Sequence, residues 1–398
     1  MMPSARDKPP YHRGCKPPRA VQLVGSAVSR NVSTFQSSEA VVVTGKRAVT
    51  IVDVAARAGV SISSASVALN GRPGVSDSTR QRVREAADEL GFIASVRGRS
   101  LSAKRAFALG LVVQRDPAVL ESDPFFGAFL GGVESILAGR DYALVLQMAT
   151  ESADALQRYR RLAADRRVDG VFLLEIQIDD PRVPLLQDLD LPAVGTNALD
   201  GFPFPSVRQD HTAGIASLVN YLIGVGHTRI AHVTGPTRFI HTQQREAAWR
   251  ESLAAARLDP GPALLGDFTY EGGRRAADQL LGIAERPTAV ICANDLTAIG
   301  LMTRVQELGL SVPEDISVAG YDGIELGGYL LPTLTTVKTA PAEIGAEAAR
   351  LLLDVIDGLD VSDVDVAAAA LLLRESTGPV PEAAGRKAER RRRRLPAP

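Results

Sequence analysis

Two apolar runs end in groups able to hold a polar ligand. Ala289-Val290-Ile291-Cys292-Ala293 is followed by the carboxamide of Asn294 and the carboxylate of Asp295, and Val318-Ala319-Gly320-Tyr321 is followed by Asp322. In open α/β sheets ligands sit beyond the carboxyl ends of strands, so residues in such places are the first candidates. Carboxamides and carboxylates there suit hydroxyl-rich molecules. Asn294 and Asp322 are expected to touch ligand, whereas Asp295 reads as the N-cap of a helix opening at Leu296. Phe268, in Gly266-Asp267-Phe268, can stack on a flat ligand face, and Asn197 follows another strand-like run.

The same survey gives little support to catalysis. Asp179-Asp180 reads as a surface turn, no Gly-rich phosphate loop follows a strand, and the five histidines show no metal spacing. Cys15 and Cys292, one in a polar stretch and one in an apolar run, indicate neither a disulfide framework nor a metal cluster. No cofactor is expected.

A different chemistry is suggested nearer the N-terminus. Thr50 caps a short helix with Asp53 three residues on, Gly59 stops it, Ser61 caps a second over 62–70, and Ser76 caps a third that Gly91 stops. A helix, a tight turn and a second helix opening with small polar residues is the arrangement that lays a recognition helix in the DNA major groove.

These sites need elements to position them. From residue 106 strand-like and helix-like runs alternate: 108–113, 125–137, 143–147, 155–166, 171–174 and 193–196, then 230–234, 243–257, 274–281, 289–293, 296–308 and 316–321, with a last helix over 342–357. Two such series predict parallel sheets covered by helices, in two lobes.

Charge is divided unevenly. Residues 1–47 hold eight basic and two acidic residues, 48–105 nine and five, and 379–398 seven and two, leaving 21 basic against 37 acidic over 106–378. A basic N-terminal third on an acidic body fits a polyanion partner for that third alone. No run reaches the roughly 18 apolar residues of a membrane span, and no apolar export segment follows the first basic residues, so a cytoplasmic protein is expected.

The stretch Thr50-Ile51-Val52-Asp53-Val54-Ala55-Ala56-Arg57-Ala58-Gly59-Val60-Ser61, with Ala68-Leu69-Asn70-Gly71, resembles the DNA-binding domain of the lactose/galactose repressor (LacI/GalR) family. The resemblance implies that Ile62, Ser63 and Val67 read bases while Thr50, Ser61, Ser64, Ser66, Asn70, Ser76 and Thr79 lie along the phosphates. The chain departs from the pattern in having Ser64-Ala65-Ser66-Val67 where Thr-Val-Ser-Arg is common, so contact of Ile62 or Val67 with thymine methyls replaces an arginine-guanine pair. Residues 92–101 resemble the family's hinge helix, with Arg97 beside the DNA and Leu101 as the minor-groove wedge. Gly98 stands where alanine is usual and costs about 1 kcal/mol of helix stability.

The likeness extends to the body, through Ala293-Asn294-Asp295, Gly320-Tyr321-Asp322, and an arginine four residues before a tryptophan, Arg245 and Trp249. It implies an effector site formed by Phe125, Phe126, Asn197, Arg245, Phe268, Asn294 and Asp322, holding a sugar or, second, a purine. The implied fold is an all-α helix-turn-helix domain plus an α/β two-lobed effector domain of the type I periplasmic-binding-protein kind. The map reads 1–47 as a disordered leader, 48–94 as the helix-turn-helix, 95–105 as hinge and linker, 106–378 as effector and dimerisation domain, and 379–398 as a basic disordered tail. Within 106–378 the lobes are about 106–207 with 339–366, and 208–337 with 367–378. A homodimer on palindromic double-stranded operator DNA follows, with tetramers left open. A transport solute-binding protein of the same fold would need an export signal and no residues 50–105, and an enzyme would need a nucleophile and base pair.

Overall fold

The computed structural model describes residues 49–92, 103 and 105–380. They divide into two units between residues 93 and 94. The leader, the 93–102 segment with Arg97 and Leu101, and the basic tail lie outside the described residues.

The first unit is three helices, α1 (Ile51–Ala58), α2 (Ile62–Leu69) and α3 (Asp77–Leu90). Each begins on a small polar residue. Thr50 and Asp53 form a reciprocal capping box on α1, Ser61 accepts from the Ser64 N–H on α2, and Ser76 accepts from the Thr79 N–H on α3. Gly59 ends α1 at φ +67°, a conformation other side chains rarely adopt, and α2 leaves at 101° to α1. Val54, Ala55, Ala65, Ala68, Val83, Ala86 and Ala87 fill the small core.

The second unit carries two main sheets. In the first lobe β1 (Ala108–Val113), β2 (Ala143–Met148), β3 (Gly170–Leu173), β4 (Ala193–Thr196), β5 (Ser206–Arg208) and β11 (Val364–Asp365) make an all-parallel sheet in the order β11-β5-β4-β3-β1-β2. In the second lobe β6 (Ile230–Thr234), β7 (Ala263–Leu265), β8 (Ala289–Cys292) and β9 (Ser317–Ala319) run parallel in the order β7-β6-β8-β9. β10 (Thr336–Lys338) and β12 (Ala370–Leu372) pair antiparallel beside the second sheet. The central strands are apolar throughout because helices cover both faces.

One pair of helices in each lobe meets backbone to backbone. In the first lobe α5 (Pro124–Leu137) and α12 (Pro341–Ile356) approach so closely that a Cβ on Gly132 would lie 1.9 Å from the Ala342 carbonyl oxygen, and one on Gly345 2.2 Å from that of Phe129. In the second lobe α10 (Tyr270–Leu281) and α11 (Asp295–Glu307) do the same through Gly273 against the Thr297 carbonyl at 2.0 Å and Gly300 against the Tyr270 carbonyl at 1.9 Å. The remaining helices are α4 (Val119–Ser122), α6 (Ser152–Ala164), α7 (Arg182–Asp188), α8 (His211–Gly224) and α9 (Ile240–Ala255).

The sequence pattern did not reveal α4, α7, α8, β5, β7 or β10, and gave no element type to the 361–373 run that holds β11 and β12. It also read Asp179-Asp180 as a surface turn, which holds only for Asp179. Asp180 is buried, its carboxylate gripped by the buried Arg182 at 2.6 Å and by backbone N–H groups of Gln177 and Arg182. A buried charge is tolerable only when matched in this way.

The glycine contacts predict opposite responses to the same added atom. Gly300→Ala should lower unfolding stability in urea by about 1–3 kcal/mol through overpacking. Gly127→Ala, on a face of α5 with nothing within 4 Å, should raise it by roughly 0.5–1 kcal/mol. Equal effects would contradict the close approach.

Candidate functional site

The carboxyl ends of the parallel strands from both sheets converge on one cavity. Its wall includes Arg115 after β1, Glu175 after β3, Asn197 after β4, Gln209 and His211 after β5, Phe268 after β7, Asn294 after β8 and Asp322 after β9. Asp123, Phe125 and Phe126 at the start of α5, His241 and Arg245 on α9, and Thr339 and Ile344 at the start of α12 also line it. All seven effector residues expected from sequence, Phe125, Phe126, Asn197, Arg245, Phe268, Asn294 and Asp322, line it.

Glu175, Asn197, Phe268 and Asp322 hold positive φ angles of 50°, 54°, 66° and 111°, four of the ten non-glycine residues that do so among those described. Such backbone costs on the order of 1–3 kcal/mol per residue and gathers where side chains must be aimed rather than relaxed. Phe268 shows how the aim is fixed. Its carbonyl accepts from Asn294 Nδ2 at 2.9 Å, and its ring tip lies where a Cβ on Gly235 would be, 2.0 Å away. Phe239, His241 and Phe268 stack with interplanar angles of 12° to 21°.

Asn294, not Asp295, caps α11, its Oδ1 accepting from the Thr297 N–H at 3.0 Å. Asp295 is fully buried instead and accepts from Thr336 Oγ1 at 2.6 Å and the Ile324 N–H at 2.8 Å, tying α11 to the turn that carries Asp322 and to β10. Burial pushes its carboxyl up to about 7. The expectation that Asp295 caps failed because the extended conformation needed by a cap falls one residue earlier, on Asn294.

The charges inside the cavity are paired or shifted. Arg115 grips Glu175 through Nε and Nη2, the latter at 2.6 Å, and its guanidinium lies 5.2 Å from the rings of Phe239 and Phe268. Arg245 donates to the Ala293 carbonyl at 2.7 Å, lies over the Tyr321 ring and stands 3.9 Å from the Asp322 carboxylate. Burial raises the carboxyls of Asp322 and Asp123 above their ordinary range. Burial, with Arg245 nearby, holds His211 and His241 neutral. His211 Nδ1 meets the Tyr321 hydroxyl at 2.7 Å, leaving His211 Nε2 without a hydrogen-bond partner, as is Arg245 Nε. Orphaned buried polar atoms on a cavity wall are unmet demand for a polar ligand.

The lobes also touch through backbone. Ile240 N–H donates to the Ile176 carbonyl at 3.0 Å and Ile178 N–H to the Arg238 carbonyl at 3.1 Å, while the Ile240 side chain enters the first lobe's core.

Arg115, Asp123, Glu175, Gln209, His211 and His241 were not expected from sequence. Position after a strand signals Arg115 and Glu175, and the cap sequence Asp123-Pro124 signals Asp123. His241 carries no such mark.

In the first unit the described expected DNA-contacting residues lie at three places: Thr50, half-buried, caps α1, and the others form the turn and exposed side of α2 and the start of α3. Ile62 is 51% exposed, Ser61 and Ser63 are exposed, Ser64, Ser66 and Val67 are half-buried, and Asn70 at the end of α2 donates to the Ser66 carbonyl at 2.8 Å. Ser61, Ser64, Ser76 and Thr79 share hydroxyl contacts of 2.9 Å in pairs at the two helix starts, where N–H groups suit phosphate. Residues 49–92 contain five arginines and five acidic residues, so the basic excess of the N-terminal third belongs to the segments flanking this unit.

Among the described residues no group of His, Cys, Asp or Glu is placed to hold a metal, and no single helix is long and apolar enough to cross a membrane.

Comparison with known proteins places both units. Residues 50–95 match the model for bacterial regulatory proteins of the lacI family, and residues 219–377 match a periplasmic binding protein-like domain. The chain is 34% identical over 318 residues to the HTH-type transcriptional repressor PurR of Vibrio atlanticus (strain LGP32), covering 78% of this chain and 93% of that one. It is 32% identical over 338 residues to the HTH-type transcriptional repressor CytR of Escherichia coli (strain K12), covering 84% and 98%. Among solved structures it resembles the lac repressor dimer bound to operator and the anti-inducer ONPF, with a TM-score of 0.73 and 27% identity over 83% of this chain and 100% of that one. It also resembles the transcriptional regulator CelR in complex with cellobiose, with a TM-score of 0.64 and 32% identity over 82% and 99%. A capped helix-turn-helix and a two-lobed body with a polar cleft, both matched across most of the length of these repressors, make the chain a member of the lacI family and a DNA-binding transcriptional regulator.

Proposed function

We propose that the chain is a cytoplasmic, homodimeric repressor without enzymatic activity, which reads a palindromic operator through α2 and whose hold on that operator is set by a small molecule in the cleft. The observation that carries the effector reading is the cavity wall itself, where strained backbone aims polar groups inward and His211 Nε2 and Arg245 Nε are left unmatched. A sugar is the first ligand class, since carboxylates and guanidinium together bridge vicinal hydroxyls. The similar CelR holds cellobiose.

Ligand affinity that differs between open and closed lobe arrangements is the source of control. A few kcal/mol of difference suffices to shift operator occupancy. The paired backbone hydrogen bonds between residues 176–178 and 238–240 are contacts that opening would break. Leu326, Tyr329 and Leu331, exposed at 46%, 70% and 86% on the second lobe, support a subunit contact.

Trp249, the chain's one tryptophan, is fully buried on α9 one turn from Arg245, so its fluorescence can report binding. Titration with a sugar panel should give a saturable change that Arg245→Ala weakens at least tenfold, while operator binding of the ligand-free protein survives. Unchanged affinity in the variant would refute the site. Gly235→Ala should displace Phe268 and weaken ligand binding severalfold with little change in Tm.

The DNA reading has its own test. Leu101→Ala should reduce affinity for operator far more than for random duplex in gel-shift titrations at one salt concentration, because only the specific complex needs the bend. Equal losses on both DNAs would contradict the wedge assignment.

A further inference from the structure

We infer that the buried pair Asp180–Arg182 positions residues 174–178 in the one shape that lets them bridge to the second lobe, and so sets how readily the two lobes part. This rests on the effector reading above and names residues that regulate the same cleft without touching its ligand.

The pair lies off the cavity wall. Asp180 and Arg182 are 5% and 3% exposed, and neither lines the cavity. The guanidinium donates through Nε to Asp180 Oδ1 at 2.9 Å and through Nη2 to Oδ2 at 2.6 Å. Burial would raise the Asp180 carboxyl, yet Arg182 holds it below the ordinary carboxylate range, so both groups stay charged. The same Nη2 also donates to the carbonyls of Leu174 at 3.1 Å and Glu175 at 3.2 Å, and Asp180 Oδ2 accepts from the Gln177 N–H at 3.0 Å. One ion pair thus fixes three backbone groups of a single short loop.

Two of the loop's remaining backbone groups cross to the other lobe. The Ile176 carbonyl accepts from the Ile240 N–H, the Ile178 N–H donates to the Arg238 carbonyl, and Gln177 is bridged antiparallel to Phe239. The loop follows β3 and belongs to no strand, so no sheet ladder dictates which way its groups face. Glu175 and Asp179 both hold φ +50°, a strained backbone that persists only where the surroundings over-determine it. Glu175 carries the same constraint into the cavity, because its side chain grips Arg115, whose guanidinium faces Phe239 and Phe268 of the second lobe.

Starting α7 does not account for this geometry. Only one backbone contact of the pair, from the Arg182 N–H to Asp180 Oδ1 at 3.0 Å, belongs to that helix, and the other three lie in the loop. Stability does not account for it either, since replacing a matched buried ion pair by apolar groups of like volume is often neutral or stabilising. What the charged pair supplies and an apolar pair does not is a fixed direction for each N–H and C=O around it.

Hydrogen exchange of the ligand-free full-length protein, read by mass spectrometry, separates these roles when Asp180→Leu is combined with Arg182→Met, which removes both charges together. Segments 174–179 and 238–242 should exchange at least about tenfold faster than in the parent protein, while β1 and β8, central to the two sheets, stay within about threefold. The response at 238–242 is the telling one, since those residues belong to the other lobe. Arg182→Lys keeps a cation but lacks the fork that meets a carboxylate and two carbonyls at once. It covers a double variant that fails to fold, and should speed exchange in both segments at least about threefold. Faster exchange confined to 174–179, no change in either segment, or equal acceleration of β1 and β8 in both variants would each overturn the inference. The effector reading fails separately, if a small-molecule extract of cells leaves the operator affinity of the parent protein unchanged.

Discussion

Contact between helix backbones, open only to residues without a side chain, fixes the geometry on which the cleft depends. Gly132 and Gly345 bring α5 against α12 in one lobe, and Gly273 and Gly300 bring α10 against α11 in the other. These helices also present the site. Phe125 and Phe126 open α5, Ile344 lies in the first turn of α12, Phe268 precedes α10 and Asn294 caps α11. A shift of either pair by the width of a methyl group would move wall residues of its own lobe together. The packing therefore sets each half of the site as a rigid piece, and interiors packed at this density transmit displacement rather than absorb it.

Between the two rigid halves the polar groups are arranged for a partner that comes and goes. Arg115 is bound to Glu175 in the first lobe but lies over Phe239 and Phe268 of the second, so its charge is solvated by rings only while the lobes are together. Burial raises the carboxyls of Asp322 and Asp123, and the charge of Asp123 adds to the rise at Asp322. Water or ligand hydroxyls relieve such groups, and a closed empty cleft does not. The cost of closing on nothing is the physical reason that a ligand can bias the lobes at all.

Much of this was legible in the residues, for reasons that can be named. Six of the seven expected wall residues lie at strand ends or at a helix start, where parallel topology sends them to one side, while Arg245, inside α9, was marked only by the family resemblance. Helix α8 escaped because its buried stripe, His211, Gly214, Ile215, Leu218, Val219 and Leu222, begins with two residues that are not apolar. β5, β7, β10 and β12 span three residues each, too few for a periodicity. Glu175 and Arg115 follow strands but were not singled out, since what buries them includes aromatic rings supplied from residues 239 and 268. Asp180 was misjudged for the same reason, with Arg182 visible nearby but its burial set by the fold.

The DNA-binding unit raises a related point about where attraction comes from. Residues 49–92 carry five arginines and five acidic residues, so α1 to α3 have no net basic charge beside their caps, hydroxyls and the exposed Ile62. The basic excess that would favour counterion release lies instead in the flanking sequence, in residues 1–47 and in Arg97, Arg99, Lys104 and Arg105. Arg105 is already held by Asp357 at 2.7 Å and by the Ile356 carbonyl. Of the basic residues on that side, the described Arg105 is thus anchored to the end of α12. The helix that carries Ile344 on the cleft wall at one end therefore holds Arg105, near the start of the second unit's described chain, at the other.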